Sequence, residues 1–155
     1  MRPHELDPCL IVDGQVAFAV RQEVAVLVFA VERWDMETAD TLFRESTALC
    51  RPAPHSLITH LAAEPGAHVR KRLSELQREL EATQFFDQRR VAVITDSVAT
   101  RGAITAWRWL TGSQMQGFPA RDLSRASEWV CGERSEPGAV AAAFRQCSGL
   151  LEDVS

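Results

Sequence analysis

The chain has 155 residues, enough for one domain with a full core. Its 46% hydrophobic and 25% charged content is that of a globular protein in water. A net charge of −4, from 17 basic and 21 acidic residues, argues against a general nucleic-acid binder, which needs a basic face.

Residues 1–15 carry Glu5, Asp7 and Asp13 and no apolar signal-sequence core, so a cytoplasmic location is expected. The apolar run at 24–31 is too short to cross a bilayer, and no membrane insertion is expected. Cys9, Cys50, Cys131 and Cys147 are far apart and form no CxxC pair. They read as packed thiols rather than as metal ligands or disulfides.

In chain order, "QVAFAVRQ" (15–22) alternates with period two, the pattern of a half-buried strand. Residues 24–31 are apolar throughout and Val-rich, as in a central strand covered on both faces. Only Gln22 and Glu23 separate the two, which predicts a hairpin. Asp35 offers an N-cap to a helix whose stripe is Met36, Ala39, Leu42, Phe43, Leu49 and Cys50. Pro52 and Pro54 stop it. "SLITHLA" (56–62) is a third strand.

"AEPGAHVRKRLSEL" (63–76) opens a second helix, with Val69, Leu73, Leu76 and Leu80 spaced by four, three and four. "RRVAVITD" (89–96) is the clearest buried strand. Residues 97–112 read as a third helix with Ala99, Ala103, Trp107 and Leu110 on its inner face. "MQGFPA" (115–120) is a short strand, and Gly117 and Pro119 place it at a sheet edge. A fourth helix covers 121–132. A last amphipathic helix runs over 137–152, with Pro137 in its first turn. The predicted class is α/β: a mixed, mostly parallel sheet of about five strands with helices packed on it. No repeat or linker divides the chain, so 1–155 is one domain, with a core over 15–131 and an added C-terminal helix.

A hairpin followed by alternating helices and strands resembles the STAS domain, the fold of anti-sigma factor antagonists and of the cytoplasmic ends of sulphate transporters. "RVAVITDSVATRGAITAWRWLTG" followed by "GFPARDLSRASEWV" is similar to the back half of bacterial STAS-like domains, some of them grouped with CRAL-TRIO-like lipid-binding proteins. There a strand ending in Asp meets a small-residue helix, and a later helix ends in an aromatic–aliphatic pair, here Trp129–Val130. Antagonist STAS domains carry a phosphorylatable Ser or Thr between the third strand and the second helix. This chain has no hydroxyl between Ala62 and Arg72, so the resemblance implies the binding surface without the phospho-switch.

Catalytic patterns are not legible. His55, His60 and His68 lie near one another, but a spacing of five puts the first two on opposite strand faces, and no compact ligand set surrounds them. No G-x-S-x-G elbow or Gly-rich phosphate loop is present. No cofactor and no metal is therefore expected. Asp96 stands where open α/β sheets place ligands, at the carboxyl end of a strand. Asp96 or Ser97 caps the third helix, or Asp96 contacts a ligand. Thr100 and Arg101, one turn on, share that rim and with it can hold an anion. Trp109 points away from Trp107, towards a partner or crevice, or packs under the C-terminal helix.

The densest positive charge, Arg70, Lys71 and Arg72, sits at the start of the second helix, against the helix dipole. Each exposed cation there costs about 0.3–1 kcal/mol, and basic-first pairs with Glu75 return about 0.2–0.5 kcal/mol each. A plain solvated face therefore accounts for the cluster as well as an anion-receptive one does. Two expectations from different classes follow. The first is a non-enzymatic regulatory or scaffold module that binds another protein, with an acidic surface, through Arg70, Lys71, Arg72, Asp96, Ser97, Thr100 and Arg101. The second is a lipid- or nucleotide-binding module using a crevice near Trp109 and Asp96. The stripe Val140, Ala143, Phe144, Cys147, Leu150 and Leu151 either closes the domain or forms a homodimer.

Overall fold

A computed structural model of the chain describes residues 5–30, 35–49, 56–60, 68, 71, 72, 75, 90–111 and 114–154. The fold is α/β, built on one six-stranded sheet. Its strands are β1 (Leu6–Ile11), β2 (Val16–Arg21), β3 (Val24–Phe29), β4 (Ser56–His60), β5 (Arg90–Ile94) and β6 (Gln114–Phe118). They lie side by side in chain order. β1, β2 and β3 pair antiparallel, and β3 to β6 pair parallel. The helices are α1 (Met36–Leu49), α2 (Val98–Thr111), α3 (Leu123–Cys131) and α4 (Pro137–Val154). A 3₁₀ turn (Ala120–Asp122) leads into α3. His68, Lys71, Arg72 and Glu75 are helical as well.

The layering follows from chain chirality. Right-handed crossovers that step along a parallel sheet in one direction leave their helices on one face. Accordingly Leu42 of α1 packs with Phe18, Leu27 and Phe29, and Ile104 of α2 packs with Val91 and Val93. That arrangement leaves the opposite face bare, and the chain returns to cover it. α4 lies over β1, β2 and β3, and α3 over β4 and β5. Val140, Ala143, Phe144 and Cys147 are buried in one cluster with Ala17, Ala19, Val26, Ile58 and Ile94. Of the two expected roles for that stripe, it closes the domain, and none of these four side chains is left for a second copy.

Three expectations are extended or corrected. The described residues bear out the α/β sheet of about five strands and add a sixth, β1, hidden because Asp7 and Pro8 interrupt its alternation and its register slips between Leu6 and Cys9. A proline and a bulge suit an edge strand. β2 is buried from Val16 to Val20 on both faces rather than half-buried. Its alternation is one of size: Ala17 and Ala19 share one buried cluster with Ala141 and Ala143 of α4, and small residues let a helix and a sheet approach closely. Finally, Ala99 and Ala103 of α2 are exposed, while Thr100 and Ile104 face inward. Burying Ile removes far more apolar surface than burying Ala, and that decides the rotation of the helix.

The hairpin at Gln22–Glu23 is present. Both residues have positive φ, 49° and 68°, as a type I′ turn requires, yet neither is Gly or Asn. The strained turn is clamped from outside: the Ser135 hydroxyl donates to the Gln22 carbonyl (2.8 Å) and the Glu136 N–H donates to Gln22 Oε1 (2.7 Å). At the β1–β2 turn Val12 has φ 53°, an outlier for a β-branched residue. Its N–H donates to Glu45 Oε2 of α1 at 2.6 Å. Cys131 and Cys147 are buried free thiols, and burial pushes them up to about 11 and about 12, which keeps them protonated and unreactive.

Candidate binding rim at the carboxyl ends of the strands

The crossover helices begin where the parallel strands end, so one rim of the sheet collects the first turns of α1 and α2. Its best-described part follows β5. Ser97 Oγ accepts the Thr100 N–H at 3.2 Å, so Ser97 is the cap of α2. The Ser97 N–H in turn donates to Thr95 Oγ1 (3.3 Å). Asp96 does not cap the helix. Its Oδ1 accepts the Ala120 N–H at 3.0 Å and ties the β5 end to the turn after β6. Arg101 reaches back to donate to the Thr95 carbonyl (2.9 Å). Its stem lies against Gly117, where a Cβ would come within 3.0 Å of Arg101 Cγ. A side chain at 117 would push on that stem, so the glycine suits the arginine that crosses it.

Asp96, Ser97, Thr100 and Arg101 are therefore brought together, as one turn and its brace. Thr100 is buried, with 8% of its surface exposed, so it belongs to the inward face of α2 and not to the open rim. Lys71 is exposed. Arg72 donates to Asp40 Oδ1 of α1 at 2.8 Å and lies 3.5 Å from Glu75. Its charge is neutralised within the fold, so only part of the expected basic cluster faces solvent. A half-exposed pair of this kind stabilises by about 0–1 kcal/mol. Arg70 lies outside the described residues, as do Trp34, His55 and Cys50, and so do the side chains of Trp107 and Trp109. Asp35 caps α1 as expected, and the Thr38 N–H (2.7 Å) holds its carboxyl below the usual carboxylate range.

The chain matches no protein-family model, no curated protein and no solved structure.

Two features of the rim escaped the sequence. One is apolar exposure. Met36 and Val98, each the first residue of a crossover helix, are 46% and 73% exposed. They follow β3 and β5, which are two strand spacings apart, about 10 Å. The other is a buried polar pair at the end of β4. Thr59 Oγ1 and His60 Nδ1 are both buried without a hydrogen-bond partner. They point to opposite faces: Thr59 sits in register with Leu27 and Val93, His60 with Val28 and Ile94. The His60 ring stands edge-on to Phe144 of α4, 6.4 Å between centroids. Burial holds its pKa below the ordinary value, and the Asp96 charge opposes that shift.

Among the described residues no group of three His, Cys, Asp or Glu side chains is placed to hold a metal ion. Among them, too, no helix is long and apolar enough to cross a membrane.

Proposed function

We propose that the chain is a non-enzymatic regulatory or scaffold module of STAS-like architecture that binds another protein through the carboxyl rim of its sheet. The observation that carries this reading is the exposure of Met36 and Val98, each the first residue of a crossover helix on that rim, where a large apolar side chain left in water is available to a partner. Lys71 supplies exposed positive charge on a neighbouring crossover segment. The polar groups of the turn support the same reading. Asp96, Ser97 and Arg101 each bind the chain's own backbone and so present a rigid frame.

The test is capture of partners from native lysate by three versions of the chain: wild type, Met36→Glu/Val98→Glu, and Leu10→Glu on the far edge strand. Partners held by wild type and Leu10→Glu should be missing from the double variant. A folded double variant that retains them overturns the rim assignment. Thermal stabilisation of the wild-type chain by a nucleotide or a lipid, with no protein captured, would transfer the proposal to the small-molecule reading.

A further inference from the structure

The two edges of the sheet are built differently. β1 is defended against pairing: it carries Asp7, Pro8 and a register slip, and Asp7 is bridged to Arg21 at 3.1 Å. Charges, prolines and bulges are the usual means of blunting an edge. β6, at the other edge, reads Gln114-Met115-Gln116-Gly117-Phe118 and contains no charge, no proline and no bulge.

Which groups β6 offers follows from one hydrogen bond. The Thr95 N–H donates to the Phe118 carbonyl at 2.9 Å, so the backbone groups of Phe118 face β5. N–H and C=O of one strand residue point the same way, and alternate residues point oppositely. Gln116 and Gln114 therefore also face β5, whereas Met115 and Gly117 turn their N–H and C=O groups outward. No described residue pairs with that outer side. Gln114 is exposed, and Met115, Gln116 and Gly117 are half-exposed.

We propose that β6 is a homodimer seam, at which a second copy of the chain pairs antiparallel with Gln116 opposite Gln116. This register joins every outward group. Met115 of each copy lies opposite Gly117 of the other, a hydrogen-bonded pair that exchanges both N–H···O bonds, and the two-fold axis repeats it. Registers centred on Met115 or Gly117 use only part of the outward set, and the latter sets Met115 opposite Pro119, which has no N–H. The side chains agree with the central register. The Gln116 amides, opposite one another across the axis, can each donate to and accept from the other. Charge agrees too. Two copies that each carry −4 meet along a seam without a charged residue, so no like charges oppose one another there. The result is one continuous sheet across two chains. Five residues a side make a small interface, so the dimer belongs to the weak class and forms at high concentration.

The experiment is sedimentation of the full chain from about 1 µM to about 1 mM, for wild type, Gln116→Lys, Gln116→Glu and an equal mixture of the two variants. Wild type should rise from monomer mass towards dimer. Each variant alone should dimerise at least about threefold more weakly, and the mixture should recover dimer through a Lys–Glu pair across the axis. A wild-type chain that stays monomeric throughout overturns the proposal and leaves the edge to an extended segment of a different protein. Dimerisation of the Lys variant at wild-type strength overturns it, and so does a mixture that fails to recover. If the variants do not fold, amide exchange in wild type decides. Exchange at Met115 and Gly117 should slow with concentration, and concentration-independent exchange refutes the seam.

Discussion

The two faces of the sheet solve the same packing problem with different materials. On the face covered by α3 and α4, one continuous cluster runs from Ala17 to Phe118 and takes in both helices. Among the described residues of the crossover face, one cluster gathers around β2, β3 and α1, and another holds Val91, Val93 and Ile104. Polar side chains interrupt that face at its carboxyl end: Thr59, Thr95 and Thr100 are all buried there. The continuous face uses the two consecutive helices at the end of the chain and has mainly to be filled. The divided face is assembled from separate crossovers, and its helix starts must stay accessible if the rim is to bind anything.

The largest effect that tests this contrast is a matched pair of truncations. Phe144→Ala, in the continuous cluster, should destabilise by about 3–5 kcal/mol. Ile104→Ala, which packs with Val91 and Val93 on the crossover face, deletes the smaller side chain and should cost less, about 2 kcal/mol. Urea unfolding with unchanged m-values reports both. Equal losses at the two sites would remove the distinction between the faces.

What the sequence disclosed follows the reach of each interaction. Caps and turns are local, and Asp35, Ser97 and the Gln22–Glu23 hairpin were all legible as side-chain and spacing chemistry. The buried strands and the α/β class were legible from apolar runs. Features that depend on a distant partner were not. β2 resembles a half-exposed strand until α4, more than a hundred residues on, supplies the second layer. Arg72 reads as an available cation until α1 brings Asp40 beside it. The stripe Ala99, Ala103 looked inward because alanine is apolar, but small side chains gain little from burial and Ile104 outweighs them. Met36 and Val98 became candidates only once the rotation of their helices was known.

A smaller effect probes the rim itself. Ser97→Ala removes the cap of α2 and should cost about 1 kcal/mol, within the range of about 0.5–2 kcal/mol for such caps. Ser97→Asp keeps an acceptor at that position and should restore most of it. Because the frame and not the hydroxyl is what the rim offers, partner capture should survive Ser97→Asp. Capture that is lost in Ser97→Asp at wild-type stability would make Ser97 a contact residue instead of a brace.

The smallest effect is a pH dependence that links the two faces' ends. His60 lies on the continuous face, beside Phe144, with Nδ1 buried and unpartnered. Its folded pKa is below the ordinary value of 6.5 because burial disfavours the charged ring. The unfolded chain therefore binds the proton more readily, and stability must rise with pH across the titration. The His60 contribution is intact above pH 6.5, starts to fade as pH falls through 6.5, and is fully lost below the folded pKa. Asp96 limits the loss by favouring the imidazolium, so Asp96→Asn should deepen it. His60→Gln should remove this component and leave only the acid destabilisation common to the carboxylates. Urea midpoints of wild type and His60→Gln, compared from pH 8 downwards, isolate the difference. If the two curves run parallel through pH 6.5 and below, the ring is not held neutral against Phe144, and the continuous face tolerates a charge that its apolar surroundings should reject.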